Sequence, residues 1–435
     1  TKTWATYGLP KSFKLSILYL MTSEIRTSDG ELLSVKLKKV ERRRRTTAFL
    51  LAAPLLFFIV FAYVIPIFQM LGRSIDNVQM NEFLSNTHDV MQEWDGTEMP
   101  GEEITSTFFY ELQGLVEEKN HGKIATRLNY EKGGFTSLIK KTARKLDDFD
   151  ENGNFLEQFI GTHKKWGDIE YWLALKRGTD AYHYRKYLTT FDYEEKFDGS
   201  IERIPEKKRI NVTLWIRTIF VAAGVTFCCF LLAYPISHLL SVLPTRYSNL
   251  LMICVLLPFW TSLLVRTSSW MVLLQKQGVL NDIFVSLGIV ADEGRLELMY
   301  NMTGTFIAMT QILLPFMVLP LYSVMKTIPP SLMRAATSMG ATPFLAFRKI
   351  YFPLTYAGIS AGSILVFVLS IGYYITPALV GGAKGTLISN RIAYHMQQSL
   401  DWSLATAMAA VLLVAVLIVY WLYNKIVGID NMRLG

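Results

Sequence analysis

Charge is scarce in this sequence. Of its 435 residues 18% are Asp, Glu, Lys or Arg, while 51% are hydrophobic and mean hydropathy is +0.27. Soluble domains carry about 25% charged residues, so a soluble globule is excluded. Cysteine is nearly missing. Cys228, Cys229 and Cys254 all lie in apolar runs, which rules out a disulfide framework and a zinc spacing. Chemistry-bearing motifs are absent as well. There is no GxxxxGK[ST], HExxH or GxSxG, and no pair of catalytic carboxylates at usable spacing. The nearest string to a phosphate loop, GGAKGT at Gly381–Thr386, has its Lys misplaced. His88, His121, His163, His183, His238 and His395 are scattered, so no metal site is expected. The chain is therefore expected to be no enzyme and to hold no cofactor. If ATP drives it, ATP and Mg are bound by a partner.

Long apolar runs fill the rest. Six are long enough to cross a bilayer, which takes roughly 20 residues: Ala48–Leu71, Leu214–Leu240, Leu250–Leu274, Thr303–Met325, Tyr356–Leu379 and Leu404–Tyr423. The first is too long, and lacks the small-residue cleavage site, for a removed signal peptide. Leu15–Met21 is apolar but too short to span, and is expected to pack or lie at the interface. The net charge of +8 is no nucleic-acid signal, because the basic residues cluster beside membrane runs. Val35–Arg45, VKLKKVERRRR, precedes the first span and is expected to stay cytoplasmic near anionic lipid. The short connections holding Arg246 and Arg334, and the tail with Lys425 and Arg433, are then inside as well. Both termini are cytoplasmic on this reading.

The division that follows is 1–46 as a basic cytoplasmic segment, 47–72 as the first membrane helix, 73–209 as an extracytoplasmic domain and 210–435 as the membrane core. The 73–209 block is too large for a loop and holds more acids than bases. Long loops translocate largely regardless of charge. Apolar residues three and four apart predict helices over Glu102–Glu118, Phe135–Leu146 and Phe155–Leu175, broken by Gly133–Gly134 and Asp150–Asn154. No tandem repeat is visible.

The stretch Pro330–Leu354, within a loop spanning 328–353, organises the chain. It carries Arg334, Arg348 and Lys349 and no acid. A short helix is predicted over Ser331–Met339, with Leu332, Ala335, Ala336 and Met339 on its apolar face. Gly340 stops it. Thr342 caps a second helix with Pro343 at its first position, and Pro353 marks the entry to the next span. A short helix held at the membrane surface is shaped to lie in another protein's groove.

This spacing resembles that of ABC importer permeases, whose cytoplasmic loop reads EAA, three residues, G, nine residues, I, one residue, LP. Ala335, Ala336, Gly340, Ile350 and Pro353 fall on it. Arg334 replaces the family Glu, which puts in doubt any ion pair made from that Glu to the ATPase, and Phe352 replaces the usual Leu. LPFWTSLLVRTSSWMVLL (Leu257–Leu274), LLPFMVLPLYSVM (Leu313–Met325), the Leu214–Leu240 run and the segment Gly381–Ala409 resemble spermidine/putrescine-type permeases of the binding-protein-dependent type I family. The resemblance covers the first span and everything from about Asn211 onward. It leaves out the N-terminal segment and the 73–209 block.

The resemblance implies an all-α membrane protein with the six-helix type I permease fold, here with a large, mostly helical domain between helices 1 and 2. It implies an inner-membrane partnership with an ABC ATPase dimer, a second and non-identical permease, and a periplasmic substrate-binding protein. The solute is expected to be polyamine-like, or a related amine, opine or amino-acid derivative, moved inward by alternating access. Ser331, Leu332, Arg334, Ala335, Ala336, Met339, Gly340, Ile350 and Pro353 are the expected ATPase-coupling residues.

Polar side chains inside membrane runs are costly and carry a functional expectation. Trp260, Thr261 and Arg266 in the third run, and Ser370, Tyr373 and Tyr374 in the fifth, are candidates for the solute pathway. Arg266 either faces that pathway or reaches up to the headgroups. The tyrosines suit a cationic ligand or an interfacial belt. Asp401, at the entry of the last span, either caps that helix or admits a cation. The outer block either docks the binding protein or braces the outer face. Two rivals remain, a membrane receptor with an outer ligand domain and a secondary transporter.

Overall fold

The computed structural model describes residues 33–427; Leu15–Met21 and Arg433 lie outside the described residues. The chain forms two compact units that meet between Met70 and Leu71.

The described part of the first unit is one long helix. α1, Leu33–Ile59, continues through a π-turn at Val60–Val64 into Ile65–Gly72. Nothing in VKLKKVERRRR breaks a helix, since Lys and Arg are good helix formers, so the basic run is helical too. Its apolar part is exposed all round, as at Leu51, Phe57 and Phe68. A helix apolar on every side belongs in lipid or in a core.

In the second unit, short helices between Val78 and Thr190 enclose their own core of Phe108, Phe135, Phe159, Trp166 and Trp172. Trp166 and Trp172 lie 4.7 Å apart, ring centre to ring centre. Each indole N–H is satisfied, Trp166 donating to Thr142 Oγ1 at 2.9 Å and Trp172 to the Trp166 carbonyl at 2.8 Å. The predicted helix over Phe155–Leu175 is two helices, Phe155–Thr162 and Ile169–Thr179. His163 leaves the helical region at φ −155°, and Asp168 caps the second piece by accepting from the Glu170 N–H at 3.0 Å. The break sends Trp166 into the core. The predicted Phe135–Leu146 helix stops at Ala143. A two-stranded antiparallel hairpin, β1 Tyr193–Glu195 with β2 Ile201–Arg203, pairs Tyr193 with Arg203, so the fold is mostly rather than wholly α.

The hairpin leads into α2, Asn211–Val242. Asp192, just before β1, accepts from the N–H groups of Asn211 and Val212 at 3.0 and 2.9 Å. It satisfies donors at a helix start that have no partner within the helix. α3, Thr245–Leu256, and α4, Leu263–Leu274, follow. Then come α5, Met302–Thr327, α6, Pro330–Ser338, α7, Pro343–Ala346, α8, Tyr356–Gly372, α9, Ile375–Val380, α10, Ile388–Gln397, and α11, Trp402–Val427. α2, α5 and α8 form the packed centre, with Val225, Cys229, Leu313, Met317 and Val366 buried between them. Gly358 lets α8 approach the α5 backbone; a Cβ there would meet the Pro320 carbonyl at 3.1 Å. Small residues at such crossings permit close helix packing in membranes.

Among the described residues four helices are long and apolar enough to cross a membrane: Leu37–Gly72, Asn211–Val242, Met302–Thr327 and Trp402–Lys425. Two further pairs meet the test together, Thr245–Trp260 with Leu263–Ser286, bent by 99°, and Pro343–Leu354 with Tyr356–Gly372, bent by 57°. The third run, Leu250–Leu274, is therefore not one continuous helix. Pro258 lacks the N–H that would continue it, and Ser262 starts a new helix by accepting from the Val265 N–H at 3.2 Å. The fifth run, Tyr356–Leu379, breaks at Tyr373–Tyr374.

Candidate functional site

The loop between α5 and α8 is built as its sequence dictates. α6 ends in a Schellman turn: the Ala341 N–H reaches the Ala336 carbonyl at 3.1 Å and the Gly340 N–H the Thr337 carbonyl at 3.0 Å. Gly340 sits at φ +91°, where a side chain is strained. Thr342 Oγ1 caps α7 by accepting from the Leu345 N–H at 3.3 Å. A π-turn at Phe347–Tyr351 then leads to Phe352–Leu354. It packs on α2, where the Tyr234 ring meets Phe347 and His238 Nδ1 lies 3.0 Å from the Tyr351 hydroxyl.

The predicted apolar face of α6 divides in two. Ala336 is 2% exposed and turns inward with Met333 toward the core. Met339 and Phe344 are 81% and 74% exposed, and Leu332 is 41% exposed. Ser331, Arg334, Ala335, Gly340 and Pro353 are exposed, and Ile350 is half-buried. The loop thus presents large bare apolar side chains among basic ones.

A second group of polar residues lies where α4, α5, α8 and α9 meet. Thr267 Oγ1 of α4 lies 3.2 Å from Thr376 Oγ1 of α9, and Trp270 donates to Gln311 of α5 at 3.0 Å. Arg266 stands between the Phe259–Phe316 and Trp270–Gln311 contacts, so it is level with the middle of α5. Its guanidinium is within electrostatic reach of the Tyr373 hydroxyl. The Arg266 Nε and the Ser370 Oγ are buried and unpartnered. The break between α8 and α9 is held open from α10, where Ser389 and Asn390 each donate, at 2.6 Å, to the Tyr373 and Tyr374 carbonyls. Trp260, Thr261 and Tyr374 are exposed, whereas Ser370 is buried and Arg266 and Tyr373 are half-buried.

Asp401 is elsewhere. It caps α11, accepting from the Leu404 N–H at 3.1 Å, and also pairs with Lys186 Nζ at 3.0 Å in a buried contact. Beside this pair the Tyr130 hydroxyl donates to the Ser399 carbonyl at 2.8 Å. Burial pushes the Asp401 carboxyl up, but Lys186 and the Leu404 N–H outweigh that and leave it below the ordinary carboxylate value. A cavity of about 680 Å³ opens here, lined by Arg73, Lys123, Arg127, Tyr130, Asp401 and Trp402 among others. Lys186 was not legible in advance, since 215 positions separate it from Asp401. Gln311 and Trp270 left a fainter trace, polar atoms inside apolar runs.

His183 belongs to the same seam. Its Nε2 accepts from Arg127 at 3.0 Å. Burial and then the Arg127 charge push it down to about 4 from an ordinary 6.5. The folded chain keeps this imidazole neutral while the unfolded chain takes a proton below about 6.5, so stability is full above that pH and declines toward 4. Thermal unfolding followed from pH 7 to 4 should show this decline, and His183→Gln should make it shallower. An unchanged slope in that variant would remove His183 as a contributor.

Comparison with known proteins bears on residues 218–427, which match the model of the family described as binding-protein-dependent transport system inner membrane component. The chain is 33% identical over 216 residues to the spermidine/putrescine transport system permease protein PotB of Escherichia coli (strain K12), covering 49% of this chain and 78% of that protein. It is 33% identical to the inner membrane ABC transporter permease protein YdcU of the same strain, over 49% of this chain and 70% of that protein. A chain in the crystal structure of a bacterial ABC transporter involved in the import of the acidic polysaccharide alginate aligns at 17% identity, over 68% of this chain and 99% of that chain, with TM-score 0.44. It is the sequence relatives that decide the matter: the chain belongs to the binding-protein-dependent transport family and is a multi-pass inner-membrane permease subunit of an ABC importer.

Proposed function

We propose that this subunit moves a small solute inward by alternating access, driven by a separate ATPase dimer that grips the loop of α6 and α7. ATP and Mg sit in that partner. The chain crosses the membrane six times, each bent pair counting as one crossing, with both ends in the cytoplasm and residues 73–209 outside. A periplasmic binding protein delivers the solute, and a second, non-identical permease completes the pathway. The solute is a small amine, polyamine-like or an opine or amino-acid derivative; the likeness to spermidine/putrescine permeases supports the amine.

The observation carrying this reading is the exposure of three apolar side chains, Leu332, Met339 and Phe344, on the loop that turns at Gly340. Apolar side chains held rigidly in water on a basic loop are ready for a groove on another protein. Cysteine placed at Phe344 should cross-link to the ATPase subunit in native membranes. Labelling of that cysteine by an impermeant maleimide from outside intact cells, with no cross-link, would put the loop on the wrong side and end the reading.

A further inference from the structure

The membrane runs of this chain contain no acid. Residues 46–72, Asn211–Val242, Thr245–Leu274, Met302–Thr327, Tyr356–Val380 and Trp402–Val427 hold not one Asp or Glu. Their cations are mostly accounted for. Arg217 donates to the carbonyls of Ala383 and Thr386 at 3.2 and 3.1 Å, Lys326 donates to the Ser241 carbonyl at 3.3 Å, and Lys425 lies over the Trp421 ring. Arg266 is different. Among the described residues its side chain makes no hydrogen bond or ion pair, and its Nε is buried without a partner. It stands level with the middle of α5, and an uncompensated charge inside a membrane run is costly and is kept for a reason. One turn before Tyr373 the Ser370 hydroxyl, 1% exposed, is also unpartnered. An unpaired guanidinium is a receptor for a planar anion, since its fork matches a carboxylate. The same charge repels a bare polycation, and the membrane runs of this chain hold no acid to offset it.

We infer that the solute is held at mid-span through a carboxylate, with Arg266 as its counter-charge and the Tyr373 hydroxyl as a further donor. This rests on the reading of the subunit as a solute-conducting permease, and narrows the solute to carboxylate-bearing amines such as amino acids or their N-substituted derivatives.

Three pairs that differ by one carboxylate test it: ornithine and putrescine, lysine and cadaverine, arginine and agmatine. Uptake is measured in proteoliposomes holding the whole complex with its binding protein. The carboxylated member of at least one pair should enter at least tenfold faster than its amine. Arg266→Gln should cut that uptake at least tenfold, Arg266→Lys should restore part of it, and Arg266→Glu should invert the preference within the pair. A merely structural arginine would not invert it. Entry of the amines alone, of no member of any pair, or an unchanged preference in Arg266→Glu overturns the inference. So does failure of the Arg266→Lys complex to assemble, since Arg266 would then be serving an interface. A complex that hydrolyses ATP yet fails these tests leaves the coupling reading standing, whereas a chain that copurifies with no ATPase sinks both.

Discussion

Replacing Met339 and Phe344 together with Glu should abolish solute-stimulated ATPase activity while leaving the subunit folded. Both side chains stand almost fully in water, so the substitutions touch little of the subunit's own packing. Burying such a side chain against a partner stabilises by about 1.5–3 kcal/mol. Losing both, and forcing carboxylates into the groove, should weaken docking by at least ~100-fold. The ATPase should no longer copurify, and thermal unfolding of the isolated subunit should be unchanged. Ala336→Glu is a poorer probe. Ala336 is buried against the core, so its carboxylate would disrupt the loop before any partner met it. Gly340→Pro acts on the turn itself, because proline is locked near φ −65° and this position sits at +91°. Full stimulation in the Met339→Glu, Phe344→Glu variant would remove the loop from the coupling path.

The second large effect lies at the Lys186–Asp401 pair. Both side chains are buried, with side-chain exposures of 10% and 7%. Removing one partner of a buried pair leaves an uncompensated charge and costs about 3–5 kcal/mol, whereas replacing both with apolar residues is often neutral. Lys186→Met and Asp401→Leu should each lower the melting temperature clearly, and the double variant should recover most of the loss. Asp401→Leu also removes the cap of α11, so it should be the worse single change. With the Asp401 carboxyl held below the ordinary value, the wild-type pair keeps its contribution above about pH 4 and loses it only in stronger acid. Additive losses in the double variant would show that the two residues stabilise independently.

Much of this was written in local sequence. The runs of apolar residues located every long helix, and Gly340, Thr342 and Pro343 spelled the loop before its geometry was seen, because each residue type has one backbone task there. Three things were not local. Pro258 and Ser262 break the third run, yet hydropathy averages across them. The inward turn of Ala336 depends on where α6 rests against the core, which an alternation of small residues does not encode. Lys186 meets Asp401 only through the folding of the 73–209 block. Arg266 could be named from its charge alone, but its lack of a partner needed the neighbours in place.

The clamp that Asp192 places on the start of α2 has a bearing on engineering. Two joints, this clamp and the Lys186–Asp401 bond, weld the 73–209 block to the first long helix after it and to the last described helix. It is therefore no bead on a string that can be snipped out and its ends sewn together. A minimal permease cut from this one would inherit a bare helix start and a stranded carboxylate, and a designer would have to supply a new cap for the one and a neutral residue for the other.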